Sequence, residues 1–332
     1  VKLKNKQGTT DIIKKEGDIQ TLGATFKEVS KETAQQLGIT HGLQIKTISN
    51  AAEICDDMAA AALMAIEDAG LTIDDISTIG IGSPGSVNPF TGVIATSNNL
   101  GFENVEMGKM LKERLGRDVY LENDASAAAY GEFIAGAGVG TKNFVAITLG
   151  TGVGGGVIID GKLFSGSNLA GGELGHTVIV VDGVQCTCGR KGCWEAYASA
   201  TGLINLTKKA MQENPDSAMW QICDGDINNV NGRTSYDGMR AGDKTATEVV
   251  DTYVKYVACG IVNTINIFQP EALCIGGGIS KEGDTLLNPI NKIVEQARFT
   301  KNVEKQTEVK IAKLGNDAGI IGAAYIHRLY QK

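Results

Sequence analysis

Residues 118–160 read DVYLENDASAAAYGEFIAGAGVGTKNFVAITLGTGVGGGVIID. Two apolar runs of strand length, DVYLE at 118–122 and FVAITL at 144–149, flank a small-residue stretch of helical character, SAAAYGEFIAGAG at 126–138. Strand, helix and strand in that order predict an α/β fold with a largely parallel sheet. The next strand, GGVIID at 155–160, follows FVAITL across a tight glycine turn and predicts an antiparallel hairpin, the exception to that sheet.

The pattern continues on both sides. Residues 50–69 (NAAEICDDMAAAALMAIEDA) predict a helix, with Asn50 as cap, Glu53 three residues on and Gly70 as terminator. A buried strand is expected at 76–82 (ISTIGIG), then the turn Ser83-Pro84-Gly85. A second helix is expected at 105–115, with Met107, Met110, Leu111 and Leu115 on its apolar stripe. Beyond about residue 200 helices dominate, the longest near 246–268, and the short strand ALCIGGG at 272–278 interrupts them.

At 332 residues, 42% hydrophobic and 21% charged, the chain is long enough for one large or two ordinary soluble domains. Its 43 glycines, nearly twice the usual share, cluster in short apolar runs, which points to turns where backbone approaches a ligand. A net charge of −7 argues against nucleic acid as a partner, because phosphate-backbone affinity needs concentrated Lys and Arg. With no run of 18 apolar residues and no secretory h-region, the expectation is no membrane span and a cytoplasmic location. The seven cysteines are an odd number and three crowd into residues 186–193, which fits a metal site in a reducing compartment better than a disulfide framework.

Four clusters can carry chemistry. His176, Cys186, Cys188 and Cys193 form a set of soft and borderline ligands that fits a closed, tetrahedral, structural Zn2+ site, with Gly189 and Gly192 letting the chain wrap a small ion. The turn Thr148-Leu-Gly150-Thr151-Gly152-Val-Gly154-Gly155-Gly156 offers free N–H groups beside two threonines, either as a phosphate nest or as a plain glycine-rich hairpin. It is neither a Walker A loop nor a dinucleotide fingerprint. Gly276-Gly277-Gly278 makes a second glycine turn, after the strand ALCI, where a nucleotide could lie against backbone. Asp124, at the carboxyl end of DVYLE, sits where α/β sheets bind ligands, yet read alone it is more simply a helix N-cap. Glu173 and Glu195 flank the cysteine knot as acceptors for sugar hydroxyls, or as two solvated surface acids.

Together these pieces resemble the ROK family of sugar kinases and repressors, within the actin/hexokinase-like superfamily, with its bacterial glucokinase subgroup the nearest. The resemblance runs from about residue 50 to the C-terminus. It rests on LENDASAAAYGE, TLGTGVGGG, AGGELGH, CTCGRKGCWEAYASA and IGGGIS, with GIGSPGSV, SNNLGF and LGNDAGIIGAA in support. It implies a two-domain actin/hexokinase-like (ribonuclease H-like) α/β fold with a cleft between the domains. Residues 1–122 plus 315–332 would form the smaller domain. Residues 123–314 would form the larger, including the zinc-binding segment 176–193. Asp124 would be the general base. Gly85, Asn99, Asn123, Glu173, His176 and Glu195 would hold the hexose with it. Gly150, Thr151, Gly152, Gly154 and Gly155 would cradle the phosphates of ATP, with Mg2+ as its counter-ion, and Gly276–Gly278 would bound the adenosine. The resemblance also implies a homodimer.

One stretch departs from that family. Its chains open on a strand ending in an Asp-x-Gly-x-Thr turn, and the nearest segment here is Asn5-Lys6-Gln7-Gly8-Thr9. The first 48 residues suit three strands in number, but they are rich in Lys, Gln and Thr and do not alternate as buried strands do. They are also too short for a DNA-binding module together with those strands. Three readings therefore stand: a glucose-phosphorylating kinase, a sugar-binding regulator, and a pseudokinase of the same family with little turnover.

Overall fold

The computed structural model describes residues 19–21, 24–28, 43–48, 50–97 and 100–331. Two compact units are distinguished, 1–75 and 76–332. In the first, β1 (Ile19–Thr21), β2 (Ala24–Glu28) and β3 (Leu43–Ile48) form an antiparallel sheet in that order. Strands thus form where the sequence shows no alternation. Two causes are visible: the segments carry Ile, Thr and Phe, and a register shift between Thr25 and Phe26 breaks the two-residue period. Residues 5–9 lie outside the described residues. Helix α1 (Ala51–Asp68) follows, and the Asn50 side chain accepts from the N–H groups of Ala52 and Glu53, as a helix cap should.

The second unit opens with β4 (Thr78–Ser83). A meander of β5 (Ser86–Asn88), β6 (Val93–Ser97) and β7 (Phe102–Val105) follows, then helix α2 (Met107–Leu115). Strand β8 (Asp118–Asn123) pairs parallel with β4 and runs straight into helix α3 (Asp124–Ala135). Next come β9 (Phe144–Leu149), β10 (Val153–Ile159) and β11 (Lys162–Leu163). Helices α4 (Ala200–Glu213), α5 (Thr234–Arg240) and α6 (Lys244–Phe268) lead to β12 (Ala272–Gly276). Helix α7 (Asp284–Ala297), β13 (Glu308–Ile311) and helix α8 (Asp317–Tyr325) complete the elements that matter here. Among the described residues no helix is long and apolar enough to cross a membrane.

The larger sheet has the order β11-β10-β9-β12-β13. Strands β9, β12 and β13 are parallel, while β9 and β10 form the expected hairpin. The period of two along β9 divides the core. Val145, Ile147 and Leu149 pack with α6 through Val257 and Ile261, while Phe144 and Ala146 pack with Ala129 of α3. Helix α8 crosses α3 at glycine distance: a Cβ on Gly131 would overlap the carbonyl of Ala318, and one on Gly322 that of Ala127.

Helix α6 also carries the segment around residue 194. Trp194 is wholly buried, its indole N–H donates to the Tyr256 carbonyl at 2.9 Å, and its ring lies on Gly260, where a Cβ would overlap the indole. The Tyr253 hydroxyl donates to the Ala198 carbonyl at 2.7 Å. Replacing Gly260 with Ala gains about 1 kcal/mol of helix propensity, but overpacking a closed core costs about 1–3 kcal/mol. Thermal denaturation of Gly260→Ala should therefore give a lower Tm than the parent, and a raised Tm would contradict the packing.

Candidate active site

The glycine hairpin is shaped from within. Val153 pairs with Leu149 and Gly154 with Thr148, and the Gly150 N–H closes the turn onto the Gly152 carbonyl at 3.0 Å. A side chain at Gly150 would meet open space, whereas one at Gly152 would overlap the Glu195 carboxylate. That carboxylate, half-buried, accepts from the Val153 N–H at 2.9 Å through Oε2. Beside the hairpin, Gly276 ends β12 opposite Thr148. Gly277 then adopts φ +86 with its Cα against the Leu149 backbone, a position only glycine fits, and Gly278 faces open space.

The strand-to-helix turn lies across from it. Asn123, not Asp124, is the N-cap of α3: its Oδ1 accepts from the N–H groups of Ala125 at 3.0 Å and Ser126 at 3.1 Å. The simpler reading of Asp124 as a cap is corrected by one residue, because Asn123 keeps extended backbone angles while Asp124 is already helical. Asp124 is exposed, and its Oδ1 accepts only locally, from Ala125 N–H at 2.9 Å. Asn123 Nδ2 donates to the Gly85 carbonyl at 3.1 Å, and Gly85, at φ +105, is wedged against Thr96 and Ser97.

A cleft of about 680 Å³ brings these parts together. Gly85, Asn123 and Asp124 line it from one side, the hairpin from Thr148 to Gly155 from another, and Glu173, His176 and Glu195 close it. Gly276–Gly278 adjoin it through Thr148 and Leu149 rather than lining it. Asn99 lies outside the described residues. A smaller recess of about 280 Å³ opens beside the cleft and shares Gly85, Asn123, Gly155 and Glu173 with it.

The cysteine knot meets the cleft through His176. His176 ends a single 3-10 turn, Leu174–His176, and Cys193 bridges to Val178. Gly189 at φ +89 and Gly192 at φ +80 turn the chain between them. The ligand atoms of His176, Cys186, Cys188 and Cys193 all lie within 4.8 Å of one another, with His176 Nδ1 3.7 Å from Cys186 Sγ and Cys188 Sγ 3.6 Å from Cys193 Sγ. Tetrahedral zinc would set S···S edges of about 3.8 Å and N···S edges of about 3.6 Å, so the donor set fits that ion. The sulfurs are too far apart for a disulfide, whose S–S bond is about 2.05 Å. Glu195 Oε1 faces this knot, 3.3 Å from Thr187 Oγ1 and 3.7 Å from Cys186 Sγ, so one carboxylate touches both the knot and the hairpin.

Sequence reasoning missed two polar residues here. Ser97 lines the cleft, and its buried hydroxyl has no partner among the described residues. Glu122 is only 4% exposed, accepts from Asn123 N–H at 2.9 Å through Oε1 and from the Tyr330 hydroxyl through Oε2, and burial raises its pKa. An acid inside the apolar run DVYLE was a usable signal, but its partner lies at the far end of the chain.

Known proteins resemble this chain over most of its length. The chain is 41% identical to a glucokinase from Halalkalibacterium halodurans over 254 residues, 76% of this chain and 76% of that protein. It is 27% identical to a xylose repressor from Caldicellulosiruptor bescii over 259 residues, 77% of this chain and 64% of that protein. The crystal structure of a ROK family glucokinase from Streptomyces griseus in complex with glucose and AMPPNP superimposes with a TM-score of 0.71 at 32% identity, covering 87% of this chain and 91% of that one. The fold is the actin/hexokinase-like α/β fold of these proteins. The ROK family pattern itself matches residues 39–329, and the chain belongs to the ROK family.

Proposed function

We propose that this chain is a sugar kinase of the glucokinase type, transferring the γ-phosphoryl group of ATP to the 6-hydroxyl of glucose. One observation carries the reading: a single cleft holds an exposed carboxylate, Asp124, at the start of α3, and the glycine turn at Gly150–Gly155, open at Gly150. Its similarity to a glucokinase crystallised with glucose and AMPPNP supports the same reading.

In this reading Asp124 takes the proton from the attacking hydroxyl, whose oxygen then displaces ADP in line. Asn123, Glu173, His176 and Glu195, with Gly85 and Asn99, hold the remaining hydroxyls. The hairpin turn from Gly150 to Gly155 cradles the phosphates, through N–H groups other than those of Gly150 and Val153, which are engaged by the Gly152 carbonyl and by Glu195, and Gly276–Gly278 bound the adenosine. Magnesium bound with ATP supplies the positive charge that the transferring group requires. Zinc held by His176, Cys186, Cys188 and Cys193 would fix the orientation of His176 and keep the Glu195 carboxylate between knot and hairpin. The reading includes a smaller domain of 1–122 plus 315–332 and a larger domain of 123–314, in a cytoplasmic homodimer. Closure of the cleft would exclude water as a competing acceptor.

A second reading has a specific basis, the similarity to xylose repressors: a sugar-binding regulator with little turnover. A coupled assay for ADP release separates the two. Glucose-dependent turnover is expected; glucose binding by calorimetry with no release above a no-sugar control would favour the regulator.

Two variants probe the parts. Asp124→Asn should lower kcat by about 10²–10⁴-fold, the usual contribution of a positioned base. Its glucose affinity should stay within about twofold, since the amide keeps the shape; equal losses in both would contradict the base role. Removing zinc by chelation, or Cys188→Ser, should lower Tm and glucose affinity together, because structural metal binding is folding free energy. Metal analysis of folded, active protein should find about one zinc per chain, the stoichiometry of one four-ligand site.

A further inference from the structure

Glu122 presents an unusual arrangement for a buried acid. Among the described residues its carboxylate hydrogen bonds are with the Asn123 N–H and the Tyr330 hydroxyl, neither of them a cation. Burying a carboxylate without a cation is expensive, and an apolar residue would fill the space at less cost. Docking of the C-terminal helices does not require the pair, because α8 is already seated on α3 through Gly131 and Gly322.

Tyr330 is engaged at its hydroxyl and at its ring. It lies in the helical turn His327–Tyr330, its hydroxyl donates to Glu122, and its ring meets Phe90 edge-on with centroids 5.4 Å apart. Ser165 lies on the loop that leads to Glu173, and Glu122, Asn123, Ser165 and Glu173 all line the 280 Å³ recess. Hydrogen bonds therefore run from Tyr330 through Glu122 to the backbone of the residue that caps α3.

We infer that Tyr330 is a positioning residue for the transfer reaction: through Glu122 its hydroxyl fixes the turn bearing Asn123 and Asp124, beside the recess that Glu173 also lines. The inference rests on the sugar-kinase reading. Neither Tyr330 nor Glu122 touches the reacting atoms. Their effect is geometric, and small displacements of a reacting group are costly in rate.

Tyr330→Phe, Glu122→Gln and the double variant test it in the full chain. Tyr330→Phe should lower kcat by about tenfold and raise KM for glucose, leaving KM for ATP unchanged. Hydrogen exchange should quicken at the amides of Asn123, Ala125 and Ser126. The double variant should be no worse than the worse single one, because both act through one chain of bonds. Loss of Tm with kcat and both KM values unmoved, or additive losses in the double variant, would overturn the inference. If Glu122→Gln does not fold, Tyr330→Phe decides alone. If the parent protein phosphorylates no sugar, the kinase reading fails, and the amides still decide this one: unchanged protection at Ala125 and Ser126 in Tyr330→Phe overturns it.

Discussion

The burial of Trp194 against Gly260 is the constraint from which the site is built. The indole is large, wholly enclosed and hydrogen-bonded at its one polar atom, so it has a single seat on α6. Its neighbours inherit that seat. Cys193 on one side enters the knot, and Glu195 on the other reaches the hairpin at Val153. The knot and the glycine turn are therefore referenced to one rigid helix rather than to each other through loops. Because Gly152 has no side chain, the Glu195 carboxylate can approach the turn closely and accept from the Val153 N–H.

Helix α3 is stabilised at both ends by acids, in two different ways. Near its C-terminus Glu132, 3% exposed, accepts from the N–H groups of Ala137 at 2.8 Å, Lys313 at 3.1 Å and Leu314 at 2.7 Å, tying the helix to the segment that enters α8. At its N-terminus Asn123 caps the helix while Glu122 holds the Asn123 backbone. Asp124 thus projects from an element whose two ends and one long face are all fixed. That fixed position suits the base role proposed for Asp124, because a base must stay within hydrogen-bond reach of the proton it takes.

Much of this was legible in advance. The β9–β10 hairpin, the helices α1 and α3 and the long helix α6 follow from periodicity and caps, because those signals are local. The strands β5, β6, β7 and β13 were not read, since runs of three to five residues are too short to display a period of two. The opening strands are hard to read for related reasons: β1 is only three residues long, and a register shift interrupts the pairing of β2 with β3. Among site residues, the four candidate zinc ligands were readable from spacing, because a knot closed within 18 residues needs no long-range information. The separation of roles between Asn123 and Asp124 was not, because either residue type caps a helix and only backbone angles choose.

The sequence by itself determined the α/β class, the hairpin and its glycine turn, and the clustering of His176 with three cysteines. Each depends on residues close in the chain, whose preferences act before the fold closes. Only the tertiary structure decided that Glu195 serves knot and hairpin at once, that Gly260 is small to admit Trp194, and that the last tyrosine of the chain completes the hydrogen bonds of an acid 208 residues earlier. Those pairings join segments far apart in sequence, and no local preference encodes which buried polar group will meet which.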